Sequence, residues 1–366
     1  MKRIFIVMGT RPEAIKLCPL VLELKKRQKS LVQVCAVEQH TAMLSGVLET
    51  FGVTADFTLA LDREVGGVSS LTAEILEKVG KLLEAEKPDL VLVQGDTATA
   101  FAAGLAAFYH GVAVGHVEAG LRTYRMNAPF PEELHRRALS LFAKYHFAPT
   151  VLSKRNLLRE GIDGRRVYQT GNTSVDALRM SLTGELGDAS LRLPEGKRTI
   201  LFTAHRRESL GAPLRGMLRA LLRVVKETPD VVAICPLHPN PKIRKIAAEI
   251  LSGEERIRVI EPPNFVEFHC LLASSYLVLT DSGGIQEETV TLGIPTVVMR
   301  YSSERTEGMC AGVLRLAGSD GESIYEVTKR LLEKGSPEYA AMKKPSSVFG
   351  DGRSAARIAD ILEKSS

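Results

Sequence analysis

Short, almost uninterrupted apolar and β-branched runs alternate along this chain with stretches whose apolar residues recur three and four apart. The runs at 3–8, 31–37, 89–93, 112–117, 199–203, 231–235, 276–280 and 296–299 read as strands, and segments such as 13–29 and 69–86 as helices. A strand that is apolar throughout, rather than on alternate residues, is covered on both faces, as parallel strands under helices are. Repeated βαβ units predict an α/β protein with doubly wound, Rossmann-like parallel sheets. The series breaks between about residues 171 and 197, where Thr-Gly-Glu-Leu-Gly-Asp-Ala-Ser and Pro-Glu-Gly-Lys precede a fresh strand. With 366 residues the chain is too long for one ordinary core and about right for two. The expected organisation is a first domain over 1–170, a second over 171–352, and a helix at about 353–366 packing back on the first. The ligand is expected in the cleft between the two domains, outside the carboxyl ends of the strands.

Composition narrows the function classes. No run of about 18 apolar residues is present, so no membrane span is expected. The apolar start is broken at once by Thr10, Arg11 and Glu13, and reads as a first buried strand rather than a signal peptide. The five cysteines, Cys18, Cys35, Cys235, Cys270 and Cys310, form no Cys-x-x-Cys pair, and no histidines have zinc spacing. The expectation is a cytoplasmic protein with neither metal nor disulfides. The net charge of +5 is spread rather than striped, which favours small anionic ligands over nucleic acid. No Gly-x-Gly-x-x-Gly follows the first strand, so no dinucleotide cofactor is expected. The Tyr339-x-x-x-Lys343 spacing is then a coincidence on a surface helix.

The residues that follow strands carry the chemistry. In the second half, a strand runs into Asp281-Ser282-Gly283-Gly284 and a helical Ile-Gln-Glu-Glu. Paired glycines allow close backbone approach, and a helix start offers free N–H groups, a combination suited to a diphosphate. Glu288, one turn further on, is placed for ribose hydroxyls. In the first half, Gly9-Thr10-Arg11-Pro12-Glu13 opens a helix, with Pro12 in its first turn. Arg11 and Lys16 there are either phosphate contacts or solvated charges. Asp96 and Glu118 each follow a strand, where burial fits a carboxylate for proton transfer. Asp96 is equally well placed to cap the next helix, whereas Glu118 follows so apolar a strand that it needs a partner. Glu132–Arg136 and Glu133–Arg137, taken alone, read as i,i+4 surface salt bridges. His205, beside two arginines at a strand end, is a candidate phosphate contact or proton donor. His238 is ambiguous, and His110, His146 and His269 read as structural.

Taken in order, these stretches resemble the non-hydrolysing UDP-N-acetylglucosamine 2-epimerases. The likeness runs from Gly-Thr-Arg-Pro-Glu-Ala-Ile-Lys at Gly9 through Gln39-His40, Gly-Asp-Thr at Gly95 and His-Val-Glu-Ala-Gly-Leu-Arg at His116. It continues through Pro-Phe-Pro-Glu-Glu at Pro129, Gly-Asn-Thr-x-x-Asp-Ala-Leu at Gly171 and Thr-Ala-His-Arg-Arg-Glu at Thr203. Thr-Asp-Ser-Gly-Gly-x-Gln-Glu-Glu at Thr280 and Glu-Arg-x-Glu-Gly at Glu304 close it. The resemblance implies a GT-B fold and a cofactor-free, homodimeric isomerase acting on a UDP-sugar. It implies removal of the C2 proton as UDP leaves C1, a 2-acetamidoglucal held in the site, and re-addition of UDP to give UDP-N-acetylmannosamine for cell-surface polysaccharides. By motif, Asp96, Glu118 and Glu132 resemble the proton-transfer carboxylates, with Arg136 beside them and His205 completing the catalytic set. Arg11, Lys16, His205, Ser282, Gly283, Gly284, Glu288 and Arg305 resemble UDP contacts, and Phe268 a neighbour of the uracil.

The chain departs from the usual pattern at His135, where Asn is common, at Thr306, at Thr289-Val290-Thr291 and at Pro263, positions that bear on specificity. Bacterial members resemble a system with a second, activating UDP-N-acetylglucosamine. Matching residues stand at Gln39, His40, Arg206 and His238, but Gly66-Gly67 replaces the expected Arg-Gln of the 62–70 loop, with Arg63 as a substitute. Weaker activation is the expectation. The competing readings are a hydrolysing 2-epimerase, which releases N-acetylmannosamine, and a GT-B glycosyltransferase, which needs an acceptor groove.

Overall fold

The computed structural model of the protein describes residues 1–38, 41–62, 66–186, 193–194, 196–204 and 211–364. The chain divides into two compact units, Met1–Arg179 with Phe349–Ser366, and Met180–Val348. The first unit alternates β1 (Lys2–Met8), α1 (Arg11–Arg27), β2 (Ser30–Glu38), α2 (Thr41–Thr50), β3 (Phe57–Ala60), α3 (Gly67–Glu86) and β4 (Leu90–Gln94). It goes on through α4 (Ala98–Tyr109), β5 (Ala113–Val117), α5 (Glu132–Phe142), β6 (Tyr145–Ala148), α6 (Val151–Arg159) and β7 (Val167–Gln169). Helix α7 (Thr173–Leu182) leads out of it. The second unit holds β8 (Arg198–Thr203), α8 (Ala212–Glu227), β9 (Val231–Pro236), α9 (Pro241–Leu251), β10 (Ile257–Ile260), α10 (Phe265–Ala273) and β11 (Leu277–Thr280). It ends with α11 (Gly283–Leu292), β12 (Thr296–Val298), α12 (Thr306–Cys310), β13 (Leu314–Leu316), α13 (Gly321–Leu332) and α14 (Pro337–Met342), and α15 (Ser354–Lys364) belongs to the first unit.

Both sheets are parallel, ordered β3-β2-β1-β4-β5-β6-β7 and β10-β9-β8-β11-β12-β13. Strand order therefore reverses between β1 and β4, and again between β8 and β11. These are the topological switch points outside which α/β sheets bind ligands. In the first unit, Phe5, Val7, Val91 and Val93 face a core shared with α4 and Leu139 of α5. Helix α4 is built from alanines, which lets it lie close to the sheet; at Gly104 a Cβ would stand 2.6 Å from Leu139. Asp96 lies in the turn entering α4. In the second unit, α8 and α13 cover one face of the sheet, while Leu271, Leu272 and Ile285 of α10 and α11 cover the other.

The expected strands are present, and among the described residues five more join them. β3, β7, β10 and β13 sit at sheet edges, are three or four residues long, and are only partly buried, so no apolar run marks them. β6 is fully buried but carries His146 in its middle.

The first unit runs past residue 170 because Gly171 and Asn172 are packed against its own C-terminal segment. Asn172 N donates to Phe349 O at 2.7 Å. Gly171 has φ +89°, and a Cβ there would meet Ser354 Oγ at 2.5 Å and Gly350 Cα at 3.1 Å. Helix α15 then lies on α1, with Arg27 reaching Asp360 at 2.6 Å. Buried Asp176 caps α15 by accepting from the backbone N–H of Ser354 (3.1 Å) and Ala355 (2.8 Å). Asp176→Ala leaves two helix N–H groups without acceptors and is expected to lower stability by about 1–3 kcal/mol. Urea denaturation measures this, and an unchanged midpoint would show that those groups find other partners.

Candidate active site

In the first unit three strand ends converge on one network. The turn after β1 begins with Thr10, whose side chain accepts from Glu13 N and caps α1. Glu13 is fully buried; its Oε1 accepts from Thr97 Oγ1 at 2.7 Å and its Oε2 from Gly9 N at 3.2 Å. The β1–α1 turn is thereby tied to the β4–α4 turn. Burial raises the Glu13 carboxyl to about 7, against the opposing pull of its hydrogen bonds.

After β4 the chain turns at Gly95, whose φ of +72° suits glycine. The next helix is capped by Thr97, which accepts from Ala100 N at 2.9 Å, and not by Asp96. The capping alternative for Asp96 is therefore overturned. Its carboxylate instead meets Arg136 Nη2 at 2.5 Å. His116 Nε2 bonds Gly95 O at 2.7 Å, and His135 Nδ1 bonds Asp96 O at 2.9 Å. Burial lowers the His116 imidazole to about 4, so it stays neutral near pH 7.

Glu118, just past β5, has φ +64°, a strained conformation for a non-glycine residue. It is buried, and its Oε2 meets Lys16 Nζ at 2.5 Å and Asn172 Nδ2 at 2.9 Å. Lys16 of α1 thus lies against Glu118. Arg11, in the first turn of α1, is half-buried, which lowers its pKa.

The i,i+4 reading of α5 is also corrected. Arg136 is buried and pairs with Asp96, forty residues away in the chain, because α5 packs beside α4. Glu133, also buried, accepts from Thr123 N and Tyr124 N at 3.0 Å each and clips the preceding loop. Glu132 differs: one of its oxygens is buried without a hydrogen-bond partner among the described residues. Arg137 turns toward Glu160 at 3.9 Å.

In the second unit the sheet delivers Ser282 as the N-cap of α11, whose first residues are Gly283 and Gly284. Ser282 N donates to Thr280 Oγ1 at 3.0 Å, which itself bonds Thr203 Oγ1 at 2.7 Å. The buried Arg305 guanidinium is held by Glu287 (2.8 Å) and Glu304 (2.9 Å), and lies 3.3 Å from where a Cβ of Gly283 would stand. Space over Gly284 is open. Glu288 presents one buried oxygen without a hydrogen-bond partner among the described residues, and its other oxygen lies 3.4 Å from His269 Nε2. Phe268 packs on the α10–α11 core. His238 is exposed and accepts from Asn240 N at 3.1 Å. Tyr339 stacks on Tyr276 at 4.1 Å, a packing role.

His205, Arg206, Gln39, His40 and Arg63 lie outside the described residues. Among the described residues, no group of three or more His, Cys, Asp or Glu side chains is placed to hold a metal ion. No helix of the described residues is long and apolar enough to cross a membrane. Sequence reasoning missed Glu13, His116 and Asn172 as members of the network. Each stood inside a quoted motif, and a polar residue in or beside an apolar strand was the available signal.

Comparison with known proteins adds the family. The sequence model described as UDP-N-acetylglucosamine 2-epimerase matches residues 22–363. The Bacillus subtilis UDP-N-acetylglucosamine 2-epimerase is 44% identical over 360 residues, 98% of this chain and 94% of that protein. The crystal structure of the Neisseria meningitidis UDP-GlcNAc 2-epimerase bound to UDP-GlcNAc is similar at a TM-score of 0.93, with 40% identity over 99% of this chain and 100% of that one. The Methanocaldococcus jannaschii UDP-GlcNAc 2-epimerase, in complex with UDP-GlcNAc and UDP, matches at a TM-score of 0.84 and 31% identity, over 99% of each chain. With its two doubly wound parallel sheets of GT-B type, the chain belongs to the UDP-N-acetylglucosamine 2-epimerase family.

Proposed function

We propose that the protein inverts C2 of UDP-N-acetylglucosamine reversibly and without hydrolysis. The observation that carries this reading is the set of carboxylates beyond β4 and β5. Asp96 and Glu118 stand at neighbouring strand ends, each beside a cation, and Glu132 offers a bare buried oxygen at the start of α5. Family membership supports the 2-epimerase activity. In the proposed course, a carboxylate takes the C2 proton while the C1–O bond to UDP breaks and C1=C2 forms, giving 2-acetamidoglucal and UDP. A proton then reaches C2 from the opposite face as the UDP oxygen re-forms its bond to C1. Coupling the two steps avoids a free carbanion at a poorly acidic carbon.

Asp96, Glu118 and Glu132 are assigned proton transfer, with Arg136 beside them and His205 completing the catalytic set. The diphosphate falls to Arg11, Lys16, Ser282, Gly283, Gly284 and Arg305, the ribose to Glu288, and the uracil to Phe268. Lys16 also steadies Glu118, and Arg305 shapes the start of α11. Gln39, His40, Arg206 and His238 are proposed to serve a second, activating UDP-sugar. The reading extends to a cytoplasmic homodimer supplying N-acetylmannosamine units for surface polysaccharide.

Incubation with UDP-N-acetylglucosamine in D2O, followed by NMR, tests the course. The expected products are UDP-linked sugars of both configurations carrying deuterium at C2, formed equally well in EDTA and without added nicotinamide cofactor. Retention of the original hydrogen overturns the elimination, and free N-acetylmannosamine with stoichiometric UDP would establish the hydrolysing alternative.

A further inference from the structure

Two histidines from different elements are spent on a single turn. The Asp96 Cα stands between two peptide planes, one containing the Gly95 carbonyl and the other its own. His116 Nε2 donates to the first at 2.7 Å, and His135 Nδ1 donates to the second at 2.9 Å. Each peptide unit is planar, so holding the carbonyl on either side sets both φ and ψ of Asp96, and with them the direction of its Cα–Cβ bond. The two rings are themselves fixed. His116 is fully buried in β5, and His135, 3% exposed, stacks on Phe101 at 4.9 Å with the planes 8° apart. Among the described residues the buried Nδ1 of His116 has no hydrogen-bond partner, so the bond to Gly95 O is the one that ring makes there. Arg136, the residue after His135, takes the carboxylate itself.

We propose that His116 and His135 are positioning residues that together orient Asp96 for the reaction, an inference that rests on the reading of Asp96 as a proton-transfer group. They act on its backbone from two sides, while Arg136 acts on its side chain. Neither ring is asked to carry a proton. What each position requires is an N–H donor at a fixed reach, rather than an imidazole as such.

Side-chain geometry turns that statement into a test. The amide nitrogen of Asn lies as many bonds from Cα as Nδ1 of His, and that of Gln as many as Nε2. Phe keeps the ring and its stacking but has no donor. His135→Phe is therefore expected to lower kcat by about tenfold or more with KM little changed, since small misplacements of a reacting group are costly. His135→Asn should stay within about threefold of the parent, because the hydrogen bond is retained. His116→Gln should likewise keep turnover where His116→Phe loses it, and the Gln variant guards against a Phe that does not fit. If His135 acts through Asp96, Asp96→Asn combined with His135→Phe is no slower than Asp96→Asn alone. Normal turnover in His135→Phe beside a crippled Asp96→Asn, or an Asn variant as slow as the Phe variant, overturns the positioning role. Multiplying losses in the double variant overturn it too. Normal turnover in Asp96→Asn removes the reading of Asp96 itself, and this proposal with it.

Discussion

Amide replacement of Asp96, Glu118 or Glu132 is expected to cut turnover by about a hundredfold or more, the usual cost of losing a general acid or base. The three variants should fail for separable reasons. Asn at 96 leaves Arg136 facing a neutral amide, and Gln at 118 does the same to Lys16 across a 2.5 Å contact. Gln at 118 removes the carboxylate 2.5 Å from a largely buried Lys16, and Asn at 96 leaves the buried Arg136 with one fewer carboxylate, Glu133 remaining at 3.5 Å, so those two variants should also lose stability. Gln at 132 disturbs no ion pair among the described residues, since the buried oxygen of Glu132 has no hydrogen-bond partner. Its loss should appear in kcat with the melting temperature little moved. UDP affinity, measured by calorimetry, should survive in the Asp96 and Glu132 variants, because Ser282–Gly284 lie in the other unit, and should shift in the Glu118 variant, because Lys16, a proposed diphosphate contact, loses its pairing with that carboxylate. Near-normal turnover in all three would make these residues structural and the site misplaced.

The second large effect is on stability and concerns Glu13. Its carboxyl is fully buried and raised to about 7, mainly by desolvation. Because the folded value lies above that of the unfolded chain, the stability it contributes is fully present below about pH 4.5 and lost as pH rises through about 7. The span corresponds to about 3 kcal/mol at most. Glu13→Gln keeps the shape of the protonated acid, with an oxygen for Gly9 N and an N–H for Thr97 Oγ1. Between pH 4.5 and 8 the parent should therefore lose stability relative to Glu13→Gln. Urea unfolding of both proteins across that range measures the gap, and parallel curves would show that Glu13 does not titrate there.

Much of the fold was legible because parallel strands buried on both faces announce themselves. The stretches Ile4–Met8 and Leu90–Val93 are apolar at every position and wholly buried. Strands such as β10, exposed at two of its four positions, leave no such run, and their pairing is decided by the sheet beside them. The carboxylates were visible as acids following apolar runs. Which neighbour each would meet was not. Asp96 and Thr97 are both competent caps, and only the turn geometry gives the role to Thr97. Arg136 has Glu132 one turn away yet pairs across forty residues, a choice made by helix packing that local spacing cannot express. Asn172 reaches Glu118 only because the chain after β7 passes beside β5's end, a long-range closure.

The return of α15 to the first unit has a consequence for the order in which the molecule is made. Domains generally fold as units while the chain emerges from the ribosome, N-terminal parts first. The seven strands of the first unit are synthesised early, but Ala355, Ile358, Ala359 and Leu362, which bury their side chains as α15 settles on α1, come only after the whole of Met180–Val348. Until then the flank of α1 stands bare to water, and Asp176 waits for the two N–H groups it will cap. The unit begun first is the one completed last, and a nascent chain halted anywhere in the second unit carries an unfinished first one.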